Sequence, residues 1–119
     1  MLFNVFLVQF ICFFFLSFPE STKSTNSRET REIGKQLFQQ NCIVCHLGGN
    51  NVIIPEKNLK KNSLEENGMN TLNAISYQIL NGKNGMPAFA GRLTEIEIES
   101  IAKYVLEDST KEFFNEKNK

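Results

Sequence analysis

Apolar positions fall into one continuous N-terminal block and then into spaced sets separated by polar breaks. Residues 1–18 are almost wholly apolar, interrupted only by Asn4, Gln9 and Ser17. That length suits a signal-peptide hydrophobic region and borders on the minimum for a membrane span. The polar run from Pro19 to Ser27 reads as a linker. No Lys or Arg precedes the apolar block and no Ala-x-Ala site follows it, but Ser17, Ser21, Ser24 and Ser27 supply small residues for processing ahead of Arg28. The expected division is a targeting segment with linker over 1–28 and one domain over 29–119 that ends in a short polar tail. A retained leader would instead anchor the domain.

Beyond the leader the spacing is helical. Ile33, Leu37 and Phe38 mark one face of a helix over Thr30–Asn41. Gly34 sits beside that face. A glycine there costs about 1 kcal/mol relative to alanine, which is either tolerated or offset by the close approach of another helix. Leu47–Asn51 has loop chemistry, and Val52–Pro55 reads as an extended apolar segment. Leu59–Glu66 predicts a short surface helix stopped by Asn67-Gly68. Asn70 is the expected cap of a helix over Thr71–Asn81, with Leu72, Ile75, Ile79 and Leu80 on one side and Gly82 as its stop. Lys83–Phe89 is a loop. Thr94-Glu95-Ile96-Glu97 has the spacing of a capping box, opening a helix from Glu95 to about Leu106 with Ile98, Ile101, Ala102 and Val105 inward. Ser109–Lys119 is polar except for Phe113-Phe114. With no credible sheet, the pattern predicts an all-α domain.

Composition narrows the classes. A chain of 119 residues holds one small domain. Thirteen basic residues balance thirteen acidic ones, so net charge gives no case for nucleic acid or an anionic membrane surface. Removing residues 1–28 leaves eleven basic and twelve acidic residues. Of three cysteines, Cys12 falls in the leader, so a disulfide framework is not expected.

The chemistry is concentrated in Cys42-Ile43-Val44-Cys45-His46. This is C-x-x-C-H, the attachment signature of a c-type haem: two thiols add across the porphyrin vinyl groups and the histidine offers an imidazole to the iron. A structural zinc site wants four N or S ligands, and outside the leader only Cys42, Cys45 and His46 are available. A thioredoxin-like site wants a βαβ context, which is missing. The free ring nitrogen of His46 is expected to donate to a carbonyl in the 47–51 loop. Met86, in Gly85-Met86-Pro87, is the best second ligand, because Pro87 restricts the backbone that aims it; Met69 is the competitor. A thioether opposite an imidazole favours ferrous iron and points to electron transfer, not enzymatic chemistry.

With these residues in place, the chain resembles the class I cytochromes c, most closely the cytochrome c6 family, lumenal electron carriers of algae and cyanobacteria. The similarity rests on Asn41–Asn51, on Leu59-Lys60-Lys61, on Met69-Asn70-Thr71, on Ala74–Phe89, on Ala90–Leu93 and on Tyr104-Val105-Leu106, and spans roughly residues 29–109. It implies about four helices around one covalent haem c, with His46 and Met86 as axial iron ligands. It implies electron transport in photosynthesis, from the cytochrome b6f complex to photosystem I, by a soluble protein of the thylakoid lumen that does not span the membrane. Gln78 matches a family glutamine near the haem, and Arg92 an arginine that assists docking to photosystem I. The alternatives are a bacterial-type carrier feeding a terminal oxidase and a membrane-anchored cytochrome. Gly85 departs from the alanine commoner in the family.

Overall fold

The reciprocal bonds expected at Thr94 are formed: its hydroxyl accepts from the backbone N–H of Glu97, and the Glu97 carboxylate accepts from the backbone N–H of Thr94 at 2.8 Å. Three residues are thereby fixed at the start of a helix, the costly step in helix formation. In the computed structural model, which describes residues 23–111, this helix is the last of five. They are α1 (Lys23–Asn41), α2 (Ile43–His46), α3 (Lys61–Glu66), α4 (Leu72–Asn81) and α5 (Glu95–Ser109), with 3-10 turns at Leu47–Gly49 and Pro55–Lys57. Extended pairing among the described residues is confined to two isolated bridges, Lys83 with Met86 and Ala90 with Leu93. The domain is all-α, as the periodicity requires. The leader up to residue 22 and Phe113-Phe114 lie outside the described residues.

α1 packs chiefly on α5. The contact is made by Gly34, where a Cβ would collide with the carbonyl oxygen of Ser100 and lie 3.1 Å from Tyr104 Cβ. The glycine therefore permits close helix approach and is not merely tolerated. Phe38 and Tyr104 then stack at 5.3 Å between ring centroids and 57° between planes, a geometry worth about 0.5–1.5 kcal/mol beyond burial. Arg31 closes the same seam, with Nη2 2.6 Å from Asp108, Nε 3.1 Å from Glu107 and the guanidinium 5.7 Å from the Tyr104 ring. α4 also packs on α5 and adds Ile75 and Ile79 to a core that also holds Leu64, Phe89, Ile98, Ile101, Ala102 and Val105.

Three sequence expectations shift. α1 begins at Lys23, inside the run read as linker. Ser24, Thr25 and Asn26 are weak helix formers, but extending a formed helix is far easier than nucleating one. Thr30 Oγ1 also donates to the carbonyl of Asn26 at 2.8 Å. Ile33, expected inward, is 44% exposed, because the Gly34 contact turns the helix so that Phe38 takes the core. Thr71, not Asn70, caps α4, its hydroxyl accepting from the Ala74 N–H at 3.2 Å.

Candidate functional site

The spacing of C-x-x-C-H is i, i+3, i+4, which places the three side chains on one face of a helical turn. The turn is formed by the Cys42 carbonyl, which accepts from the N–H groups of Cys45 at 3.2 Å and His46 at 2.9 Å. Ile43 and Val44 are thereby turned outward, Val44 to 81% exposure. Cys42, Cys45 and His46 all line one cavity of about 280 Å³, just under the ~300–1,000 Å³ usual for small-molecule sites. Both cysteines are half-buried, and neither is paired in a disulfide among the described residues. Burial, followed by the neighbouring Cys45, pushes the Cys42 thiol up to about 11.

His46 Nδ1 lies 2.8 Å from the carbonyl oxygen of Asn50. A carbonyl can only accept, so Nδ1 carries the proton and Nε2 keeps its lone pair. This is the loop bond expected from sequence. The loop is held in turn by Asn51, whose side-chain oxygen accepts from the N–H groups of Ile53 at 3.0 Å and Ile54 at 2.9 Å while its Nδ2 donates to the carbonyl of Lys57 at 2.9 Å. The role of Asn51 was not foreseen; the preference of Asn for such local turns was the available signal. Ile53 and Ile54 consequently line the cavity. Val44 and Ile53 also remain largely exposed and form its rim.

The opposite part of the lining comes from α4 and the loop after it. Gly82 stops α4 with a φ of 66°. A Cβ there would come within 2.5–2.7 Å of backbone atoms of Met86, Pro87 and Ala88, so only glycine lets the loop double back. Lys83 and Met86 exchange two backbone bonds of 3.0 Å, and the returning chain donates from Phe89 to Ile79 and from Ala90 to Leu80. These bonds satisfy carbonyls that a helix end otherwise leaves open. Met86 is thus presented half-buried at the cavity. Gln78 lines the cavity too, its Nε2 3.9 Å from Met86 Sδ. Met69 is also in the lining, so both methionines reach the site. Arg92 stands apart on the surface, with its guanidinium 4.8 Å above the Phe89 ring, and Phe89 is part of the cavity wall.

The donor set fits an iron porphyrin better than a small ion. No three His, Cys, Asp or Glu side chains converge on a common point among the described residues, whereas two thiols, an imidazole with a free Nε2 and a thioether are spread around one apolar cavity. A family model described as cytochrome C oxidase, cbb3-type, subunit III matches residues 29–105. Cytochrome c6 of Bumilleriopsis filiformis is 60% identical over 78 residues, 66% of this chain and 91% of that protein. The chain belongs to the cytochrome c6 family. A cytochrome c6 from a Synechococcus strain is 55% identical over the same share of this chain and 70% of its own. The crystal structure of cytochrome c6 from the diatom Phaeodactylum tricornutum superposes with a TM-score of 0.66 at 46% identity, covering 68% of this chain and 95% of that one. Membership in the cytochrome c6 family makes this chain an electron-transfer protein carrying haem c, and not an enzyme. No helix among the described residues is long and apolar enough to cross a membrane.

Proposed function

We propose that this cytochrome c6 relative is a soluble carrier in the thylakoid lumen that takes electrons from the cytochrome b6f complex and delivers them to photosystem I, using one haem c. The observation that carries the reading is the gathering of Cys42, Cys45, His46 and Met86 around a single cavity. Cys42 and Cys45 would hold the group covalently, and His46 Nε2 and Met86 Sδ would donate to its iron. Residues 1–28 serve as the targeting segment. When bound, haem c supplies a one-electron couple between ferrous and ferric iron. The chain does the rest. Asn50 fixes the tautomer and the direction of His46, the returning loop holds Met86 in place, and the apolar lining keeps water out. The exposed rim residues Val44 and Ile53 allow a partner to approach closely, and small, weak contacts suit a carrier that must dissociate quickly. Arg92, stacked on a wall residue, is suited to dock on a photosystem surface.

The test is flash-induced re-reduction of photosystem I by the reduced, haem-loaded protein. Fast, concentration-dependent re-reduction that slows in Arg92→Gln is expected. The oxidase description of the matching family model favours a second reading, donation to a terminal oxidase. It would be preferred if photosystem I were not re-reduced while an isolated terminal oxidase consumed oxygen with this protein as donor.

A further inference from the structure

The chain contains three Asn-Gly pairs, Asn67-Gly68, Asn81-Gly82 and Asn84-Gly85, and the fold treats them differently. Asn67 caps α3 with helix-like angles (φ −94°, ψ 5°) and its Nδ2 donates to Ser63 at 2.8 Å. Asn81 ends α4, and its Nδ2 donates to Tyr77 at 2.9 Å. The N–H groups of Gly68 and Gly82 are bonded to the carbonyls of Glu65 and Gln78. Asn84 and Gly85 are both exposed, and neither the Asn84 amide nor the Gly85 N–H has a hydrogen-bond partner among the described residues.

The backbone adds a second difference. Asn84 and Gly85 are the central pair of the turn closed by the reciprocal bonds of Lys83 and Met86. Asn84 has φ 53°, and Gly85 is not among the residues of positive φ. A positive φ at the first central position alone defines a type II′ turn, whose ideal ψ at that residue is about −120°. At that ideal ψ the nitrogen following the first central residue eclipses its Cβ. This alignment is what an attack on the side-chain carbonyl requires. The position is one where glycine is normally preferred, and a φ of 53° is uncommon for a residue with a side chain.

We propose that Asn84-Gly85 is a site of spontaneous deamidation and backbone isomerisation built into the fold. Solvent base removes the Gly85 amide proton, and the nitrogen adds to Asn84 Cγ. The Cγ–Nδ2 bond breaks and ammonia leaves with the proton it needs, closing a five-membered succinimide. Water then opens one of the two ring carbonyl–nitrogen bonds. Opening at Cγ gives aspartate. Opening at the backbone carbonyl gives isoaspartate, which carries the main chain through Cβ and lengthens it by one carbon. No oxidant or reductant is needed. The lengthened chain lies two residues before Met86. A resulting change in methionine ligation rests on the proposed ligand role, whereas the modification itself does not.

The test is peptide mapping of the native haem-loaded protein aged at mildly alkaline pH, with isoaspartate quantified at 67, 81 and 84 and the chemically unfolded chain aged in parallel. Folding should slow conversion at Asn67 and Asn81 by about tenfold or more, since a helix end must first open, and leave Asn84 at or above its unfolded rate. Gly85→Ala should slow Asn84 conversion by about tenfold, because its Cβ obstructs an approach that glycine leaves open. That Cβ would meet Ile53 Cδ1 at 2.7 Å, so Asn84→Gln, whose side chain would need a slower six-membered ring, provides the second variant and should yield no isoaspartate at 84. Protection of Asn84 in the native protein equal to that of Asn67 and Asn81 would overturn the proposal.

Discussion

Gln78 Nε2 lies 3.9 Å from the sulfur of Met86, and both groups face the same cavity. An N–H directed at the thioether draws charge from it and disfavours the more positive ferric iron. With Met86 as ligand, Gln78→Leu, which keeps the bulk and removes the donor, should lower the reduction potential with ligation unchanged. A bond worth ~1 kcal/mol corresponds to about 40 mV for one electron. Redox titration followed by absorbance measures it. An unaltered potential would mean that the amide does not address the sulfur in the loaded protein.

Gly34→Ala should destabilise the domain although alanine is the better helix former. The propensity gain is about 1 kcal/mol. The new methyl would strike the backbone carbonyl of Ser100, which cannot swing aside, and overpacking commonly costs ~1–3 kcal/mol or more. A lower urea midpoint with an unchanged denaturant slope is the expected result.

Tyr104 gives the seam between α1 and α5 an alkaline limit. Burial, then its hydrogen bond to Asp108, pushes the phenol from 10.0 up to about 12. Between these values the unfolded chain releases a proton that the folded chain retains, so stability falls as pH rises through this window. Urea unfolding at a series of pH values should show the decline, and Tyr104→Phe should flatten it.

The start of α5 responds to acid instead. Bonds from the Thr94 N–H and hydroxyl hold the exposed Glu97 carboxyl below its usual range. This contribution is full above the ordinary carboxylate pKa and is lost as pH falls through the lowered one. Thr94→Ala should cost about 1 kcal/mol near neutrality and less in acid, read by thermal unfolding at both pH values.

Much of this architecture was legible because local chemistry determined it. The Thr94–Glu97 box, the Gly82 stop and the inward set of Ile98, Ile101, Ala102 and Val105 depend on residues within a turn or two of one another. The bond from His46 to the following loop was legible for the same reason. What spacing did not disclose depends on partners distant in sequence. Ile33 faces outward because Gly34 must meet Ser100, and Arg31 becomes an interhelical clasp only once Glu107 and Asp108 are beside it. Met69 and Met86 could be ranked from their flanking residues, yet both line the cavity, since the path of the chain through 52–59 brings the walls together.

The loop that presents Met86 is bonded to α4 through Phe89 and Ala90, so the two open or close as a unit. The amides of Phe89 and Ala90 should therefore exchange with solvent at the rate of the helix, not of a surface loop. With Met86 as a ligand, much of the ordering that a metal–sulfur bond would otherwise have to impose would already be present in the polypeptide, which would keep the rearrangement on a change of charge small.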